Sequence, residues 1–169
     1  AKEGLVRMVP EFAHFGNKAW FSIFRREEQF FRGALDIDTF NLLDEVLPDS
    51  HLVMSEDSFP CQVAGERIEN LQQLLELPGE TRDRLVLKVS GANLLSSRSY
   101  GVLIGVGLSR ATWRRWVEER VGTGQPFIIQ RRLESSVTRV PVQNMKTKCP
   151  EFFGCRILLR PWSVNGKLV

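Results

Sequence analysis

The run LVLK (residues 85–88) ends on a lysine, and a loop of small hydroxyl residues follows it: Ser90, Gly91, Ser96, Ser97 and Ser99, with Arg98 among them. A lysine at the end of an apolar strand is costly to desolvate without a partner, and a phosphate oxygen is a good one because an ammonium needs no fixed fork geometry. Serine hydroxyls and backbone N–H groups can take further phosphate oxygens, and glycine permits close approach. The plainer reading is a solvated hairpin whose lysine reaches water, and on these residues alone it has the edge. The loop matches neither a Walker A motif nor GxGxxG. A second stretch, PFIIQRRL (126–133), ends a strand on Gln130. An amide offers the donor and acceptor a purine needs, although a core strand followed by exposed arginines explains the same residues.

Other chemistries find less support. Only His14 and His51 are present, neither beside a nucleophile elbow, so neither a Ser-His-Asp triad nor a Cys-His pair is favoured. Cys149 and Cys155 have no nearby histidine, which argues against zinc. Trp113 and Trp116 with Arg110, Arg114 and Arg115 could stack and bind nucleic acid. At helical spacing the tryptophans read better as core, with the arginines as a solvated face.

These residues need elements to hold them. Asn17 can cap a helix running to about Arg32 and stopped at Gly33; a second helix starts near Asp38 and ends before Pro48. HLVM (51–54) reads as a short strand, and GERIENLQQLLELPGE (65–80) as a helix with Ile68, Leu71 and Leu75 on one stripe. Strands are expected at 85–88, 101–104 and 127–130. Between the last two, a helix capped by Ser109 buries Trp113, Trp116, Val117 and Val121. Residues 134–150 lack clean periodicity and read as loop or irregular strand. Asn165-Gly166 is a strong hairpin signal. This order of elements suits an α+β or layered α/β fold.

The 169 residues fit one domain or two small subdomains. No apolar run is long enough to span a bilayer. Three cysteines suggest free thiols in a reducing, cytoplasmic setting. The net charge of +3 conceals an asymmetry. Residues 1–83 carry 8 Lys+Arg against 16 Asp+Glu, a net of −8, and residues 84–169 carry 15 against 4, a net of +11. Either the halves neutralise one another or the basic half presents a surface to a polyanion.

Taken together, RLVLKVSG, SSRSYGVLIGVGLSRATWRRWVEERV and QPFIIQRRL resemble the nucleotide-binding core of ATP-grasp proteins, closest to the circularly permuted, glutathionylspermidine-synthase-like branch. FGNKAWFSIF (15–24) is similar to that branch's upstream NK helix. LPDSHLV (47–53) is similar to the turn and strand after it, and RPWSVNGKLV (160–169) to the strand opening the second half of the grasp. The resemblance implies ATP held between two α+β subdomains, and a carboxylate activated as an acyl phosphate for attack by an amine. Residue by residue, it implies that Lys88 contacts the α- or β-phosphate. The loop Ser96, Ser97, Arg98, Ser99 and Gly101 would close over the phosphates, and Gln130 would face the adenine. Lys18 would be a further nucleotide-side lysine, and Arg156 or Arg160 would reach phosphate or acyl group. It divides the chain into a helix-rich, acidic segment (1–80), a strand–loop–strand–helix–strand subdomain (81–133) and the opening of an incomplete second grasp subdomain (134–169).

Two departures stand out. Leu94, Leu95 and Tyr100 make the loop bulkier than the family's, and Arg131 and Arg132 stand where the family has an acidic residue. Phosphoryl transfer also needs Mg²⁺ held by carboxylates, and the basic half offers only Glu118, Glu119, Glu134 and Glu151. The metal ligands are therefore expected outside these residues. The expected function is the nucleotide-binding portion of an ATP-dependent carboxylate–amine ligase-like protein, inactive as this piece, with no membrane partner and nucleic acid not favoured. The alternative is a non-catalytic interaction domain whose basic half binds an acidic protein or nucleic acid.

Overall fold

The computed structural model describes residues 17–91, 95, 100–156, 163–164 and 167–168. The fold is α+β with antiparallel sheets, and the chain divides into two compact units, Ala1–Arg132 and Leu133–Val169.

The first unit opens with three helices, α1 (Ala19–Arg26), α2 (Glu28–Ala34) and α3 (Ile37–Val46). The single helix expected over 17–32 is interrupted: Glu27 sits at φ −102°, ψ 34°, outside the helical region, and α2 restarts after it. The chain then keeps its aromatic contacts, with the Phe31 ring 5.2 Å and the Phe40 ring 5.4 Å from Phe24. Asp36 caps α3 by accepting from Thr39 N. Next come β1 (Ser50–Val53), β2 (Cys61–Val63), β3 (Glu66–Ile68), α4 (Leu71–Glu76) and α5 (Gly79–Asp83). The helix expected over 65–80 thus begins as a strand. Ala64 (φ 54°) and Gly65 (φ 78°) both adopt positive φ, the geometry of a two-residue hairpin turn, and pair Val63 with Glu66. Helix forms only after Asn70, whose side chain accepts from Gln73 N.

The remaining elements of this unit are β4 (Leu85–Val89), β5 (Val102–Ile104), α6 (Arg110–Gly122) and β6 (Phe127–Arg131). The four-stranded sheet runs β1-β6-β4-β5, antiparallel throughout. Strand alternation sends Leu85, Leu87, Phe127, Ile129 and Val53 into one core with Leu74 and Leu75 of α4 and Trp113 and Val117 of α6. Trp113 is fully buried and its indole N–H donates to Leu74 O at 2.8 Å. Val86, Lys88, Ile128 and Gln130 take the opposite face by the same alternation. There α1 packs against β1 and β6, and Ser22 Oγ accepts from Leu52 N at 2.7 Å.

In the second unit, β7 (Val137–Gln143) and β8 (Pro150–Arg156) form a hairpin. Much of the stretch expected to be irregular is therefore strand, paired residue for residue from Val137↔Arg156 to Gln143↔Pro150. The turn is organised by Asn144, whose Oδ1 accepts from Lys146 N and Thr147 N. β9 (Ser163–Val164) and β10 (Lys167–Leu168) pair antiparallel, and the Asn165-Gly166 turn expected between them lies outside the described residues.

No helix among the described residues is long and apolar enough to cross a membrane. The cysteines are unpaired and differ in setting: Cys61 is buried and Cys149 exposed. Burial, with the Asp49 carboxylate adding to it, pushes the Cys61 thiol up to about 11. Since the thiolate is the reactive form, a chromogenic disulfide reagent at pH 8 should titrate Cys149 rapidly and Cys61 only after denaturant is added. Rapid Cys61 modification in native protein would contradict this burial.

Candidate phosphate-facing site

β4 delivers Lys88 and β6 delivers Gln130 to the same sheet face. In register, Lys88 lies opposite Ile128, and Gln130 lies opposite Val86 on one side and Ser50 on the other. Lys88 and Gln130 are thus diagonal neighbours, and Lys88 Nζ donates to Gln130 Oε1 at 2.8 Å. Gln130 is only 5% exposed and Lys88 is half-buried. Among the described residues no carboxylate pairs with Lys88.

The third member comes from the start of α1. Asn17 Oδ1 accepts from Ala19 N at 3.0 Å, from Gly91 N at 3.2 Å and from the Ser90 hydroxyl. One amide oxygen thereby caps the helix and ties its first turn to the end of β4, which brings Lys18 near Lys88. Burial lowers the Lys88 pKa, and the positive charge of Lys18 lowers it further; burial lowers that of Lys18. A lowered lysine pKa means the unfolded chain holds protons more tightly. Stability from these groups therefore rises as pH climbs toward the ordinary lysine range, and at neutral pH the charged pair is a liability.

The residues expected from sequence fare differently. Lys88, Gln130 and Lys18 come together. Gly101 is present for packing: Val89 N donates to Gly101 O at 2.7 Å, and a Cβ there would lie 2.4 Å from Leu95 O and 2.7 Å from Val89 Cβ. Ser96, Ser97, Arg98 and Ser99 lie outside the described residues, as does Arg160. Arg156 is exposed on β8 of the second unit, opposite Val137. The Gln130 side-chain carbonyl, expected to face a purine, accepts from Lys88 here, and the residue is buried.

The carboxylates of the basic half do not assemble a metal site. Glu118 pairs with Arg114 and Glu119 with Arg120, each at 2.7 Å, while Glu151 accepts from Asn144 at 2.5 Å. Among the described residues no three His, Cys, Asp or Glu side chains converge. The tryptophan pair is core: Trp116 stands edge-on to Phe127 at 5.5 Å with Arg120 over its ring at 5.0 Å. Part of the charge asymmetry cancels inside the first unit, where Glu66 meets Arg84 and Glu76 meets Arg110 and Arg114.

In the sequence Asn17 reads only as a helix cap, and Arg82 carries no sign of a role. Arg82 is buried and clamps two chain turns, donating to Leu77 O at 2.6 Å and Leu108 O at 3.1 Å. Nothing local announces that role, since its acceptors are backbone carbonyls brought in by the fold. A polar concavity of about 490 Å³ beside α4, lined by Glu66, Asn70, Gln73 and Glu76 among others, shares no residue with the lysine site.

Comparison with family models, with characterised proteins and with solved structures finds no match for this chain.

Proposed function

We propose that this chain is the nucleotide-binding portion of an ATP-grasp-like, ATP-dependent carboxylate–amine ligase that works through an acyl phosphate and is inactive as these residues alone. The observation that carries the reading is the half-buried Lys88 ammonium, held by a neutral amide beside a second lysine, with no carboxylate partner among the described residues. Desolvating a cation next to another cation costs folding free energy. A bound polyphosphate reverses that cost, so the arrangement suits a ligand-binding surface better than a structural one. The cytoplasmic setting belongs to the same proposal, since three unpaired cysteines suit a reducing compartment. Binding by this chain alone is assigned to its lysines, and no step is routed through a metal.

The test is thermal denaturation with ATP, with and without Mg²⁺. Saturation at 100 times Kd stabilises by about 2.7 kcal/mol, or roughly 5–10 °C for a chain of this size. Lys88→Met should abolish the shift while leaving the ligand-free melting temperature equal or higher, because it removes a desolvated charge. An unchanged melting temperature for wild type with ATP would overturn the reading.

The second reading, a non-catalytic polyanion-binding module, is favoured by the hairpin of the second unit. One face carries Arg139, Arg156 and the exposed Phe152, with Arg139 5.5 Å over the Phe152 ring. Oligonucleotide affinity that falls steeply with salt and is lost in Arg139→Ala would support it.

A further inference from the structure

We propose that Gln130 is a positioning residue, whose buried side-chain carbonyl fixes the Lys88 ammonium at the sheet face without neutralising it. For the use of that charge the inference rests on the nucleotide reading above; the positioning itself does not.

A lysine side chain has four rotatable bonds and loses considerable entropy when held in one place. Here a single 2.8 Å hydrogen bond to Gln130 Oε1 holds it. The acceptor is itself well fixed. β6 lies between β1 and β4, so Gln130 has strand partners on both sides, Ser50 and Val86, and it is 5% exposed.

The acceptor's chemistry matters as much as its placement. A glutamate of the same length would form an ion pair and consume the charge an incoming phosphate needs. An apolar side chain would leave the half-buried ammonium without its acceptor, disfavouring the charged form. An amide carbonyl takes one of the three N–H donors and leaves the full formal charge and two donors for a ligand. Lys18, a neighbouring charge on this face, is of the same sign, so among the described residues the side-chain hydrogen bond that restrains Lys88 comes from Gln130.

Gln130→Glu and Gln130→Met are close to isosteric, so both should preserve the fold, which far-ultraviolet circular dichroism checks. The Lys88 side chain, assigned by its loss in Lys88→Met, is titrated by NMR at its ε-carbon in each protein. Its midpoint should rise in Gln130→Glu and fall in Gln130→Met relative to wild type. A merely structural glutamine would change the melting temperature and leave the midpoint in place, and a common midpoint in all three proteins overturns the proposal. ATP affinity, read by calorimetry, should fall about tenfold or more in both variants. Shifted midpoints with ATP affinity equal to wild type would overturn the link to phosphate. Shifted midpoints with no ATP binding by wild type would leave the positioning standing and reject the nucleotide reading instead.

Discussion

Trp113→Ala is expected to remove about 3–5 kcal/mol of stability from the first unit, the largest effect of any single side-chain truncation in this fold. Trp113 is fully buried among Leu74, Leu75, Leu85 and Leu87. Its removal leaves a void that α4 and α6 cannot close without losing their contacts with the sheet. The indole N–H also satisfies Leu74 O at 2.8 Å near the end of α4, and truncation strands that carbonyl. With whole-domain stabilities of about 5–15 kcal/mol, a loss of this size consumes much of the total. Urea denaturation followed at 222 nm should show a large drop in midpoint, or a protein unfolded without denaturant. Trp113→Phe separates the two contributions. It keeps most of the ring volume and loses the hydrogen bond, so it should cost about 1–3 kcal/mol. Equal midpoints for wild type and Trp113→Ala would mean that α6 does not pack on the sheet as described.

Gly105→Ala is expected to be nearly as damaging, for a backbone reason. Gly105 follows β5 and lies against the end of α5, and its N–H donates to Leu85 O at 3.0 Å. A Cβ at Gly105 would lie 1.8 Å from Arg82 O and 2.6 Å from Arg82 C. Those are backbone atoms, with no rotamer to change, so either β5 or the α5–β4 turn must move. The buried Arg82 guanidinium, bonded to Leu77 O and Leu108 O, resists movement of that turn. The cost should reach the upper end of the overpacking range, about 3 kcal/mol. Gly122→Ala is the control. Gly122 ends α6 with no atom within 4 Å of its added Cβ, so alanine there should stabilise by about 0.4–1 kcal/mol. If both alanines behave alike in the same denaturation experiment, the close approach at Gly105 is not real.

The glycines bear on function as well as stability. Gly101 and Gly105 fall in the stretch that resembles a nucleotide-binding loop, where glycine suggests close approach of a phosphate. In the fold each is required by chain-on-chain packing, against Val89 and Arg82. Glycine type alone does not distinguish the two uses, because both need only the absence of a Cβ. Lys88 is different: packing has no need of an ammonium on that face, and its only described restraint is a neutral amide.

Much of the fold was legible along the chain because its signals are local. The Ser109 cap, the Trp113–Val117 stripe and the apolar runs at 85–88 and 127–130 all lie in the elements that form. Where local pattern misled, tertiary context prevailed. The stripe of Ile68, Leu71 and Leu75 suits a helix, yet Ile68 is buried just as well from a strand paired with Cys61. At the interrupted first helix, nothing in the residues around Glu27 marks the break.

By itself, then, the sequence determined the locally signalled elements, such as β4, α6 and β6, and which residue types could meet an anion: a strand-ending lysine, a strand-ending glutamine and a lysine beside a helix cap. Only the tertiary structure decided that these three share one face. That outcome depends on β4 and β6 pairing antiparallel in a register that sets Lys88 diagonally across from Gln130, and on Asn17 bonding to Ser90 and Gly91 more than seventy residues away. Register and long-range hydrogen bonds are properties of two segments at once. The side-chain period of a strand is two, so a slip of one residue would have sent Gln130 into the opposite core.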